Sequence, residues 1–282
     1  MSIKFTLNSL GTGTVLLHAP IRGITGTVHI DWGDGTSIES ITTGEFPEHS
    51  YVAQTTAFTI HIYDGSITGI YNYELNPTYS LFADKLTAFE YETNYSTLTS
   101  FNNAFYGATN NVVYTFHLNT YNVTDMSNMF FNNNSFDNSM LDIDTQNVNN
   151  MEGMFAFCNA FNQSVSHFDT SFVTNMSNMF LGFGMFDSSA LTSIIINPTY
   201  VSDQAFANCS ALTEIVWLNQ SNVSLPLGTD IFLNCTTPIQ VTYYLTANSS
   251  ALSSASTSLQ SQYPASSSYT YISTPPPTIT IK

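Results

Sequence analysis

The sequence predicts a mixed β/α chain: an N-terminal β-sandwich, then a repeat solenoid of about six rungs, then a C-terminal cap. Three observations predict it. An octapeptide ending in Phe returns at a fixed interval through the middle of the chain, the first 75 residues alternate apolar and polar side chains, and beyond Tyr244 the composition turns to Ser and Pro. The boundaries drawn from these changes of texture are 1–75, 76–248 and 249–282.

The repeat is the strongest signal. Val123-Thr-Asp-Met-Ser-Asn-Met-Phe130 returns as Val148-Asn-Asn-Met-Glu-Gly-Met-Phe155 and as Val173-Thr-Asn-Met-Ser-Asn-Met-Phe180, with 25 residues from Phe to Phe. Weaker copies extend the series in both directions, giving the anchors Phe105, Phe130, Phe155, Phe180, Phe206 and Phe232. Val123, Met126, Met129 and Phe130 stand at i, i+3, i+6 and i+7, the spacing of one face of a short helix. A short apolar run then follows in each rung: Tyr114–Leu118, Met140–Ile143, Val165–Phe168, Ser193–Ile196, Thr213–Trp217 and Gln240–Tyr244. These read as strands, one per rung. One strand and one short helix per rung of this length is leucine-rich-repeat geometry, in which stacked neighbours create the core. Cys158, Cys209 and Cys235 each lie three residues after an anchor Phe, so they read as small buried fillers and not as a disulfide framework.

The middle rungs (Asn122–Phe130 and Phe161–Ser171) resemble the BspA-like repeats of bacterial and viral surface proteins, and Ala205–Ile215 resembles a sister variant. That resemblance implies surface display, adhesion and partner binding without catalysis. In the N-terminal region, Ile3, Phe5 and Leu7 share one strand face, as do Val28, Ile30 and Trp32, and Phe58, Ile60 and Ile62. Gly33-Asp34-Gly35 marks a tight turn. Asp31-Trp-Gly-Asp-Gly-Thr36 followed by His49-Ser-Tyr51 resembles the PKD-type immunoglobulin-like β-sandwich, although the Gly usual after His-x-Tyr is missing. The resemblance implies a spacer or an adhesive surface. At the other end, Ala247–Tyr263 fits a Ser/Ala helix, Tyr269–Ile272 a last strand, and Thr278–Ile281 a strand-like tail able to cross to another subunit of a homo-oligomer.

Composition narrows the function. The 282 residues carry only Lys4, Arg22, Lys85 and Lys282 against 20 acidic residues, for a net charge of -16. Four scattered cations argue against nucleic acid and against a polybasic membrane contact. No apolar run is long enough to cross a membrane as a helix, and residues 1–20 read as a strand, so no signal peptide is expected in this sequence. No nucleophile elbow, phosphate loop or zinc spacing occurs, and no cofactor, metal or catalytic residue is assigned. The expectation is a non-enzymatic surface structural or adhesion protein on a virion (capsid decoration, fibre or spike) that meets other surface proteins, a host receptor or a glycan. A bacterial cell-surface adhesin and a carbohydrate-binding protein are the alternatives.

One constellation stands out as a candidate site. His117, Asp142 and His167 each precede an anchor Phe by the same interval, and Asn119, Asp144 and Asp169 follow two positions on. Stacked strands would align them into a polar patch suited to a cation, a glycan or pH sensing. The competing reading is a solvated face with Asp144 and Asp169 capping the next turn. Asp31 and Asp34 invite calcium, but two carboxylates in one turn fall short of a full oxygen shell, and turn formation is the simpler role.

Overall fold

The computed structural model describes residues 2–42, 47–70, 81–92, 97–108, 112–117, 120–163, 165, 167–170, 172–182, 193–196, 203–209, 211–219, 229–235, 237–245 and 267–272. In chain order its elements are β1 (Ser2–Leu7), β2 (Thr14–His18), β3 (Ile21–Arg22), β4 (Val28–Asp31), β5 (Glu39–Ile41), β6 (Glu48–Val52), β7 (Phe58–Tyr63), β8 (Gly69–Ile70), α1 (Leu81–Lys85), β9 (Leu86–Glu92), β10 (Val113–His117), β11 (Ser193–Ile196), β12 (Glu214–Asn219), β13 (Gln240–Leu245) and β14 (Ser268–Ile272).

The N-terminal strands follow the period-2 pattern. Ile3, Phe5 and Leu7, Val28 and Ile30, and Phe58, Ile60 and Ile62 are all buried, so one face of each strand enters the core. Antiparallel pairing of β1 with β7, β7 with β4 and β4 with β5 builds most of a six-stranded sheet in the order β10-β9-β1-β7-β4-β5. A separate β2–β6 ribbon packs on it through Tyr51, whose ring lies 4.8 Å from Phe58 and whose hydroxyl donates to the Trp32 carbonyl at 2.8 Å. Gly33 has φ 76°, and a Cβ there would come within 2.3 Å of the Thr59 carbonyl oxygen, so the tight turn after Trp32 requires glycine.

This sheet does not stop at residue 75. Strand β9 pairs antiparallel with β1, and β10 pairs parallel with β9. The change to parallel pairing marks the start of the stack. A column of parallel bridges then climbs it, from Gly69 to Ser100, Asp125, Asn150 and Asn175. Arg22 ties the two regions together by donating to the Ser100 hydroxyl at 2.8 Å.

The stack corrects the mixed β/α expectation and its leucine-rich-repeat-type solenoid: the fold is nearly all β-sheet and turn. Among the described residues the only helix is the five-residue α1, and it lies before the rungs. The segment Val123–Phe130 is not helical. An α-helix sends each N–H to the carbonyl four residues back. Here Met129 N–H goes three back, to Met126, while its neighbours Asn128 and Phe130 donate to Glu152 and Met154 of the next rung at 2.7 and 3.0 Å. Alternate amides thus close local turns and bond to the neighbouring rung. The same alternation runs from Phe101–Gly107 to Asp125–Phe131 carbonyls, and from Met151–Phe157 to Asn175–Leu181 carbonyls.

That path uses a left-handed residue before every anchor and, in all rungs but that of Phe180, a second one after it. Two positions before the anchor Phe stand Asn103, Asn128, Gly153, Asn178, Gln204 and Asp230, all at positive φ. Two positions after it stand Gly107, Asn132, Phe157, Asn208 and Asn234, again at positive φ. Gly, Asn and Asp tolerate this region best, which gives the abundance of Asn a structural reason. Helical spacing was a coincidence of turn geometry: consecutive turns also bring Val123, Met126, Met129 and Phe130 to the inside, where all four are fully buried.

The anchors do what the repeat requires. Phe105, Phe130, Phe155, Phe180, Phe206 and Phe232 stack ring on ring, with successive centroids 5.5, 5.8, 5.5, 5.5 and 5.5 Å apart. Each cysteine is a buried free thiol that donates to a Phe carbonyl one rung back: Cys158 to Phe130, Cys209 to Phe180 and Cys235 to Phe206. Burial pushes the Cys235 thiol up to about 11 and raises Cys158 further.

At two of the six expected strands the described residues form turns instead. Met140–Ile143 and Val165–Phe168 are single turns, closed by Ile143 N–H to the Met140 carbonyl and Phe168 N–H to the Val165 carbonyl, both at 3.0 Å. The parallel sheet therefore ends at β10 and resumes as β11-β12-β13-β14, which includes the expected last strand near Tyr269. The Ser/Ala helix expected over 247–263 and the tail strand over 278–281 lie outside the described residues.

Candidate functional site

The two turn-built rungs carry the candidate residues. Asp142 and His167 occupy the same position, third of four, in the turns Met140–Ile143 and Val165–Phe168. The rungs bring them together: His167 Nε2 donates to the Met140 carbonyl at 2.8 Å, and Asp142 is close enough to act on the imidazole electrostatically. Burial lowers the His167 pKa, while the Met140 hydrogen bond and Asp142 oppose that shift and do not cancel it. Its Nδ1 is buried with no hydrogen-bond partner among the described residues. His117 ends β10 in register with Glu92, but its side chain lies outside the described residues, as does all of Asn119.

Asp144 serves its own turn. Its carboxylate accepts the Gln146 backbone N–H at 3.0 Å and the Gln146 side-chain amide at 2.8 Å. Its backbone is clamped by Thr120, whose hydroxyl donates to the Asp144 carbonyl at 2.6 Å and accepts the Asp144 N–H at 2.8 Å. Thr145 repeats the donation to the Asp169 carbonyl at 3.1 Å. Thr120, Thr145 and Thr170 are buried in a column, and each opens a corner turn closed by Val123, Val148 and Val173.

At those corners and on the turn before them stand exposed apolar side chains. Tyr121 is 51% exposed, Leu141 66% and Phe172 65%. Tyr121 and Phe172 sit at the same corner two rungs apart, about 10 Å at the usual strand spacing. Leu141 follows Met140, the carbonyl that His167 grips. At the place of Phe172 the two preceding rungs have Asn122 and Asn147, and that mismatch is visible in the aligned repeats. Asp142, Asp144 and Asp169 are interleaved with these apolar tips, and no Lys or Arg occurs between Lys85 and Lys282 to offset them.

In the N-terminal region, Asp31 and Asp34 act within their turn. Asp31 accepts the Gly33 N–H at 2.9 Å; Asp34 accepts the Thr36 N–H at 3.0 Å and the Thr36 hydroxyl at 2.6 Å, and it pairs with His49 at 2.8 Å. Burial raises the Asp34 pKa, but the bonds from Thr36 and His49 together outweigh it, and the net shift is downward. His49 also stacks on Trp32 at 5.0 Å. Among the described residues no three His, Cys, Asp or Glu side chains are grouped to hold a metal ion, and no helix is long and apolar enough to cross a membrane.

The repeat segment has a counterpart among known sequence families. Residues 99–217 match the family described as "Mycoplasma protein of unknown function, DUF285". The matched segment runs from the second residue before the Phe101 turn to Trp217 in β12, and so includes both turn-built rungs. That family is related to the BspA-like surface repeats. No curated protein and no solved structure matches the chain.

Proposed function

We propose that this chain is a non-enzymatic surface protein that displays a binding face on a rigid stack, as a virion component (a capsid decoration, fibre or spike) contacting another surface protein or a host receptor. The observation that carries this reading is the rung-to-rung lattice. Backbone amides and the side chains of Thr120, Thr145, Asn102, Asn159 and Asn208 hold one rung to the next. Such a lattice suits presentation of a fixed shape, and it leaves apolar tips at the corners for contact. The family relationship of residues 99–217 supports surface display. The Trp32–His49–Tyr51–Asp34 network supports a PKD-type spacer in front of the stack.

Immunogold labelling of purified particles alongside host envelopes tests the location. Gold on particles is the expected result. Gold on cell envelopes alone would replace the virion reading with a cellular adhesin, and gold on neither would remove surface display.

A further inference from the structure

The corners of the middle rungs and the turn before them combine three features that stability does not require together. Phe172 occupies a turn position where Asn122 and Asn147 serve the preceding rungs, and it gains little burial there. Leu141 is exposed on the turn that leads to Asp144, the residue that Thr120 clamps beside the exposed Tyr121. The surrounding charges are all of one sign: Asp142 on the turn that carries Leu141, Asp144 clamped to Thr120 beside Tyr121, and Asp169 one rung further.

Exposed aromatic and aliphatic tips rimmed by charge have the anatomy of a protein-docking patch, in which the apolar residues anchor and the rim selects. The sign of the rim decides the occupant. Without a lysine or arginine anywhere in residues 86–281, the patch repels phosphate, sulfate and acidic peptides at long range. An arginine meets it well, because a guanidinium can pair with a carboxylate and also lie against an aromatic ring. We propose that Tyr121, Leu141 and Phe172, with Asp142 as the charged rim, dock a cationic segment of a partner protein in which Arg or Lys stands next to apolar residues. This deepens the surface-binding reading and rests on it.

The test uses the full chain as bait for a random peptide library, followed by fluorescence anisotropy of the selected peptides on wild type and on Phe172→Asn. That substitution restores the residue of the neighbouring corners, so its melting temperature stays level or rises, and loss of binding cannot be put down to unfolding. The proposal expects selected peptides rich in Arg or Lys beside apolar residues. It also expects about tenfold weaker binding to Phe172→Asn and to Tyr121→Ser, and a further loss with added salt in which Asp142→Asn shares. Neutral or acidic selected peptides, no selection at all, or equal binding by Phe172→Asn would overturn it. Binding of a neutral glycan that depends on Phe172 would overturn the choice of occupant. A chain found on particles whose selected peptides ignore Phe172 would sink the docking site and leave the surface reading standing.

Discussion

The N-terminal sheet and the rung stack solve one problem in two ways. Both must pair buried backbone amides. The sheet around β1, β4 and β7 does so with extended strands, and each strand shows it through alternation: Phe58, Ile60 and Ile62 face in while Thr59, His61 and Tyr63 face out. The stack pairs its amides across rungs even where the chain is turning, and its regularity lies between rungs. Residues 25 apart are neighbours there, as Thr124 with Thr99 and Asn149 with Thr124 show. A stack of this kind depends on left-handed residues at fixed places, whereas a sheet depends on side-chain parity.

The contrast is broken most severely by removing a rung anchor. Phe130 is fully buried, stacked between Phe105 and Phe155 and 4.0 Å from Phe136. Phe130→Ala should cost about 3–5 kcal/mol in urea unfolding, and a loss below about 1 kcal/mol would mean that the Phe column is not the spine of the stack. In the sheet region, Tyr51→Phe leaves the buried Trp32 carbonyl without its hydroxyl donor. The expected loss is about 1–3 kcal/mol, read by the same titration.

Backbone conformation separates the regions next. Asn132→Ala puts a poorer left-handed residue at φ 58° and should cost about 1 kcal/mol. Phe157→Asn replaces a bulky residue at φ 61° with a favoured one and should stabilise by a similar amount. Thermal unfolding of both variants checks the pair of opposite signs; equal signs would argue against the left-handed rung path.

The smallest effect is one of pH. The folded-state pKa of His167 is lowered from 6.5, so the unfolded chain binds a proton there more readily. Stability is then fully present above about 6.5 and declines as the pH falls from there toward the lowered folded value. His167→Gln should flatten that part of the stability profile, and an unchanged profile would assign the pH dependence elsewhere. The Asp34–His49 pair acts lower: with the Asp34 pKa depressed, its contribution is present above 3.8 and is lost as the pH falls through the folded value.

The alternating strands, the six anchors, the buried cysteines and the last strand near Tyr269 were legible in the sequence, because each is a pattern of burial. The conformation of the rungs was not. Turns joined by left-handed residues bring every third or fourth residue inward just as a helix does, so Val123, Met126, Met129 and Phe130 fit both. The deciding signal was the Asn or Gly placed two residues before and after the anchors, at 103, 107, 128, 132 and 153. Met140–Ile143 and Val165–Phe168 read as strands because four residues are too few to tell a strand from a turn. For the candidate site, the equivalent places of Asp142 and His167 in successive rungs followed from the period alone. The exposed corner needed the structure: the repeats show Phe172 at the place of Asn122 and Asn147, but its exposure is a fact of burial.

Hydrogen-bond scalar couplings in the isotope-labelled protein test the turn-built stack most directly. The amide nitrogen of Phe130 should couple to the Met154 carbonyl carbon of the next rung, and that of Phe155 to the Met179 carbonyl carbon. Coupling from Phe130 to the Met126 carbonyl, four residues back along its own segment, would restore a helix to the rung and contradict the account.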